Sequence, residues 1–163
     1  MVNYVAILAA VPLVATLIGD SWYHAVFGFS VIGFSFALAI VSYILDVIGV
    51  FVVGFVMWKL GPSFGTTTTQ VRATRLAAYI FTPFFLLSIF DIVPFLGIIA
   101  VLGLLYGLYI LYLGMPILLN TPKDKVITYV IVTVVVTFVV YAIIGIIVGA
   151  ITAVFFLTSL GIL

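Results

Sequence analysis

Apolar positions in this chain run in long unbroken stretches rather than in alternation. Residues 126–141, VITYVIVTVVVTFVVY, carry no charge at all. A closed barrel would alternate apolar and polar residues in segments of about ten. Continuous runs are the helical way of satisfying backbone groups in lipid. The pattern predicts an all-α, polytopic membrane bundle. Five transmembrane helices are expected at about residues 2–19, 34–59, 73–91, 95–118 and 126–156. A straight helix over residues 25–60 would rise on the order of 54 Å against a hydrocarbon core of about 30 Å. A short interfacial or re-entrant segment is therefore expected over residues 21–33, with the break at Gly28 or Gly33. Two polar loops punctuate the chain, GPSFGTTTTQ at 61–70 and NTPKDK at 120–125. A tight turn is expected at 91–94. Pro83 should kink the third span and free a carbonyl near Tyr79, and Pro12 is placed to kink the first. The fifth run is longer than a bilayer requires, so it should tilt, break near Gly145 or Gly149, or project outward.

Composition agrees with a lipid solvent. The chain has 163 residues, 67% of them hydrophobic and 6% charged, and a mean hydropathy of +1.60. A soluble domain is about 25% charged. The first apolar run has no basic flank and continues into further apolar sequence, so an uncleaved first span is expected rather than a signal peptide. Five spans put Lys59, Arg72, Arg75, Lys123 and Lys125 on one face, and Asp20, His24 and Asp91 on the other. By the positive-inside rule the basic face is cytoplasmic. The N-terminus is then inside and the C-terminus outside a cytoplasmic membrane. Trp58 beside Lys59, and Trp22 with Tyr23, would mark the two interfaces. The basic face suits anionic lipid headgroups, or a protein partner on the cytoplasmic side; no nucleic acid is expected.

The inventory for catalysis is bare. The chain has no cysteine, no glutamate and one histidine, so disulfides and zinc–thiolate sites are excluded. No serine sits in a nucleophile elbow, no Gly-rich phosphate loop occurs, and no cofactor is expected. Asp46 and Asp91 are offset by roughly 15 Å of helix rise and form no carboxylate dyad.

Asp46 is the one acid in mid-span, where a carboxylate costs at least about 2.5 kcal/mol to insert. Two readings stand. Asp46 is a proton or cation site of a small transporter or channel, with Asp91 and His24 at its outer vestibule. Or it is a structural acid bonded to a tyrosine, with Tyr43, Tyr106, Tyr109 and Tyr112 as candidate partners. Tyr79 would line a cavity opened by the Pro83 kink. Gly103–Gly107 and Gly145–Gly149 are small-xxx-small motifs. They would pack the fourth span on the fifth, or else form a homodimer. Pro94 closes the turn before the fourth span.

The stretch YIFTPFFLLSIFDIVPFLG, followed by LYGLYILYLGMPILLNTPKDK, resembles the Yip-domain family of five-span membrane proteins. It is most similar to the prokaryotic, YohC-like inner-membrane branch. Tyr79, Thr82, Pro83, Pro94, the Tyr109–Pro116 run, Asn120 and Lys123 carry the likeness. It covers the central third of the chain; beyond that it lies in hydropathy and span order. The resemblance implies five spans and a cytoplasmic N-terminus, and for this branch no established activity. Eukaryotic relatives bind Rab-type GTPases and carry a hydrophilic region with a short acidic-aromatic motif before the first span. This sequence opens on the span, so Rab binding is not expected to carry over. The expectation is a membrane-organising or partner-binding component without catalysis; the alternative is transport through Asp46.

Overall fold

The computed structural model describes residues 1–27, 32–93 and 96–159, without the side chains of residues 20, 22–27, 32–35, 156 and 159. Five helices follow one another: α1 (Val2–Phe27), α2 (Ile32–Leu60), α3 (Gln70–Leu87), α4 (Ile98–Leu118) and α5 (Val126–Ser159). All five are long and apolar enough to cross a membrane. Among the described residues there is no strand.

Local chemistry sets the boundaries. A 3-10 turn at Gly61–Phe64 has Pro62 in its second position, where the missing N–H costs nothing. It closes on Gly65, whose φ of 68° is the left-handed conformation that favours glycine. Thr69 then caps α3, its hydroxyl accepting the Arg72 N–H at 3.4 Å. A second 3-10 turn, Ser88–Ile92, ends the third span. Past α4 the chain turns at Asn120, φ 55°, and the Thr121 N–H returns to the Met115 carbonyl at 3.3 Å. Asparagine tolerates that conformation better than other non-glycine residues.

The helix α3 is central. It is the most buried of the five and packs on α1, α2 and α4, whereas α5 is the least buried. The core joins Val5 and Ala9 of α1, Val53 and Met57 of α2, Leu76 and Phe81 of α3, Met115 of α4, and Tyr129 of α5. Lipid offers no hydrophobic drive between helices, so close fit has to hold them. At Gly103 a Cβ would meet Phe84 Cα, Phe84 N and Pro83 O, all at 2.7 Å. Gly107 lies against the Ile80 carbonyl and Gly114 against the Leu76 side chain. Small residues on α4 thus let it lie directly on the α3 backbone.

Several expectations change. The segment expected as interfacial begins as a continuation of α1 to Phe27, and Gly33 lies inside α2 rather than at a break. Gly28 and Pro94 lie outside the described residues. The third helix starts at Gln70 and the fourth at Ile98. Helix α5 runs unbroken through Gly145 and Gly149. The Gly103–Gly107 motif packs α4 on α3, not on α5. Gly145 and Gly149 have nothing within 4 Å of an added Cβ among the described residues.

Candidate functional site

Two regions of the bundle collect polar chemistry. The first is the end that carries both loops. The Thr66 and Thr121 hydroxyls, 55 positions apart, share a buried hydrogen bond of 3.1 Å. Pro122 and the Lys125 ammonium fold over Gly65, 3.5 and 3.9 Å from its Cβ position. Phe64 stacks on Tyr129 with centroids 4.6 Å apart and planes 9° off parallel. The buried Tyr129 hydroxyl donates to the Met57 carbonyl of α2. The two loops are one bonded unit at one end of the bundle. Lys59, Arg72, Arg75, Lys123 and Lys125 are all exposed there, with Asp124 among them. The Lys59 ammonium lies 5.0 Å from the Trp58 ring and 5.9 Å from Phe55, a cation–π seat of the kind found at a membrane interface. The five basic residues thus lie at the end of the bundle that carries the two polar loops.

The second region is at mid-depth. Asp46 is half-buried on α2, on the face that carries Gly49, Val50 and Val53. It makes neither a hydrogen bond nor an ion pair with a described residue. Its neighbour is Tyr141 of α5, within electrostatic reach. The Tyr141 oxygen lies 3.4 Å from the Cβ position of Gly49, one turn below Asp46, and is buried without a hydrogen bond. The Tyr141 ring meets Phe81 of α3 at 5.2 Å. Beside it opens a cavity of about 330 Å³ between α3, α4 and α5. Ile80, Phe81 and Phe84 line it from α3, and Leu104, Leu108 and Leu111 from α4. Thr133, Val134, Thr137, Phe138 and Tyr141 line it from α5.

The predicted intramembrane residues do not gather around Asp46. Tyr43 donates to the Ala6 carbonyl of α1 at 3.2 Å. Tyr79 does not line the cavity; it meets Tyr4 edge-on at 6.1 Å, and the Tyr4 oxygen pairs with the Thr82 hydroxyl at 2.9 Å. Tyr106, Tyr109 and Tyr112 face outward from α4, Tyr106 being 57% exposed. Asp91 stays at the far end, its carboxylate against Gly97 at the start of α4, where a helix N-terminus favours negative charge. Its backbone carbonyl fills the place of a Cβ at Gly19, so α1 packs tightly there. The side chain of His24 lies outside the described residues. The helix α3 continues past Pro83 to Leu87, and the Thr82 hydroxyl bonds back to the Ala78 carbonyl at 2.8 Å.

Sequence reasoning missed Thr133, Thr137 and Tyr141. Their signal is present: a spacing of four puts three hydroxyls on one face of an otherwise apolar helix.

Comparison with known proteins fits this architecture. The profile of the Yip1 domain matches residues 1–145. The inner membrane protein YohC of Escherichia coli K12 is 29% identical over 135 residues, covering 78% of this chain and 69% of that protein. The YohC of Escherichia coli O6:H1 aligns with the same identity and coverage. No solved structure matches. With five helices long and apolar enough to cross a membrane and a profile match over most of its length, this chain belongs to the Yip1-domain family of membrane proteins.

Proposed function

We propose that this protein is a non-catalytic, membrane-organising or partner-binding component of the cytoplasmic membrane, working through its basic end on the cytosolic side. The observation that carries this reading is the fusion of the two basic loops into one unit through Thr66–Thr121 and the Tyr129 contacts. Five cations are presented on a fixed frame rather than on independent loops. A fixed frame gives a partner a defined charge pattern at little ordering cost, and gives anionic lipid about 1 kcal/mol per basic residue. Residence in a cytoplasmic membrane follows the inner-membrane relatives, and the orientation follows the charge rule.

Photocrosslinkers at Arg72 and Lys123, set in native membranes, test the reading. Discrete protein or anionic-lipid adducts are expected, lost when Arg72, Arg75, Lys123 and Lys125 become glutamine. Adduct patterns that ignore those four changes would overturn it.

One observation favours a second reading. Asp46 stands midway along α2 with no bonded partner among the described residues, which a purely structural acid would have. Proton, cation or small-solute flux in liposomes, present in wild type and lost in Asp46→Asn, would install transport in place of organisation. Flux no greater than in empty liposomes would retire it.

A further inference from the structure

We propose that the crevice between α3, α4 and α5 binds a quinone-type lipid, a hydrocarbon-soluble molecule with a flat ring bearing a hydrogen-bond-accepting carbonyl. This does not depend on the role given to the basic end.

Depth comes first. Thr133 stands about 10 Å along α5 from its start, and Tyr141 about 22 Å, at roughly 1.5 Å per residue. Both distances fall inside a hydrocarbon layer of about 30 Å. A ligand there arrives through lipid. The entrance is lateral, because α4 touches α5 far less than it touches α3. Phe138, 74% exposed, stands at the rim. The volume of about 330 Å³ is ample for a ring and the start of a tail, since apolar cavities of about 150 Å³ already take up benzene. Phe81, Phe84 and Tyr141 supply aromatic walls.

Thr133 gives the polar group. It is 2% exposed, lines the crevice, and its hydroxyl has no hydrogen bond. Five other threonines in these helices satisfy their hydroxyls on their own backbone: Thr16, Thr74, Thr82, Thr152 and Thr158 all donate to the carbonyl four residues back. Thr133 does not, and the Tyr141 hydroxyl on the same wall is as bare as that of Thr133; in hydrocarbon a bare donor is costly. An acceptor brought by a ligand would satisfy it. The ester oxygens of a phospholipid lie at the layer's edge, about 10 Å from Thr133 by helix rise, and its tails offer no acceptor. A ring carbonyl on a molecule dissolved in the bilayer interior meets both demands.

The test uses the full-length protein reconstituted in quinone-free phospholipid vesicles. The probes are a decyl-substituted benzoquinone and decylbenzene, which matches it in size without the carbonyls. The quinone is expected to bind saturably near one per chain, read as retained ligand and as a rise in the unfolding midpoint. Thr133→Val should weaken binding roughly 3- to 10-fold, the worth of one neutral hydrogen bond. Thr133→Ser should retain it, and Leu108→Trp, which fills the crevice, should abolish it. The proposal fails if wild type shows no saturable binding, or if decylbenzene binds as well as the quinone. It also fails if Thr133→Val binds as wild type does. If Thr133→Val does not fold, the contrast between Thr133→Ser and Leu108→Trp decides.

Discussion

Adding one methyl group at Gly103 tests how this bundle is held together. In Gly103→Ala the new Cβ would lie 2.7 Å from Phe84 Cα, Phe84 N and Pro83 O. Ordinary contact for such a carbon begins at 3.4 Å, so α3 and α4 must separate by about 0.7 Å along the line of closest approach. All three obstacles are backbone, and no side chain can swing away. Overpacking of this kind costs about 1–3 kcal/mol. The same change at Gly145 meets nothing within 4 Å, and alanine is the better helix former by roughly 0.5–1 kcal/mol. The two substitutions are the same in chemistry and opposite in surroundings. Reversible unfolding in mixed micelles, or steric trapping in bicelles, would give the two free-energy differences. Gly103→Ala is expected to lose about 1–3 kcal/mol, and Gly145→Ala to be neutral or slightly stabilising. Equal losses at both sites, or no loss at Gly103, would refute packing of α4 directly on the α3 backbone.

Three further outcomes follow from the same contacts. Tyr129→Phe keeps the stack on Phe64 but leaves the Met57 carbonyl without its donor; a loss of about 1–2 kcal/mol is expected in the same unfolding measurement, and no loss would show that the bond carries nothing. Thr68→Cys and Asp124→Cys, made singly in a chain without cysteine, should react with an impermeant thiol reagent from the same side of the membrane; labelling from opposite sides would break the joined-loop arrangement. Asp46→Leu should fold with stability within about 1 kcal/mol of wild type, because Asp46 has no hydrogen bond to lose among the described residues; a collapse in folded yield would show that the acid has an essential structural contact.

The five long apolar helices were legible because they follow from a one-dimensional rule, length against bilayer thickness. The neighbours of Asp46 were not. Matching Tyr106 and Tyr109 to Asp46 by depth ignores rotation about the helix axis, and those rings are exposed on the outside of the bundle. In a helix that is apolar all round, no amphipathic stripe fixes that rotation. Glycine spacing shows that a close approach is available but not which helix takes it; Gly103 and Gly107 receive α3, while Gly145 and Gly149 receive nothing from the described residues. The hydroxyl ladder of Thr133, Thr137 and Tyr141 was readable by its spacing alone. Its partner surface on α3 and α4 depends on contacts between residues far apart in sequence.

Helix α5 is clamped at its root by the Tyr129 contacts and is exposed along most of its course beyond Gly145. Tyr141 and Ile144 still lie against Phe81 and Gly49, so it is the stretch past Gly145 that behaves as a cantilever, about 21 Å long at roughly 1.5 Å per residue. Its angle is set by the thickness of the surrounding bilayer more than by the four helices beside it. Thinning the membrane lowers this beam without tearing the rest of the fold. The tilt of that free end then becomes a gauge of the lipid in which the protein sits.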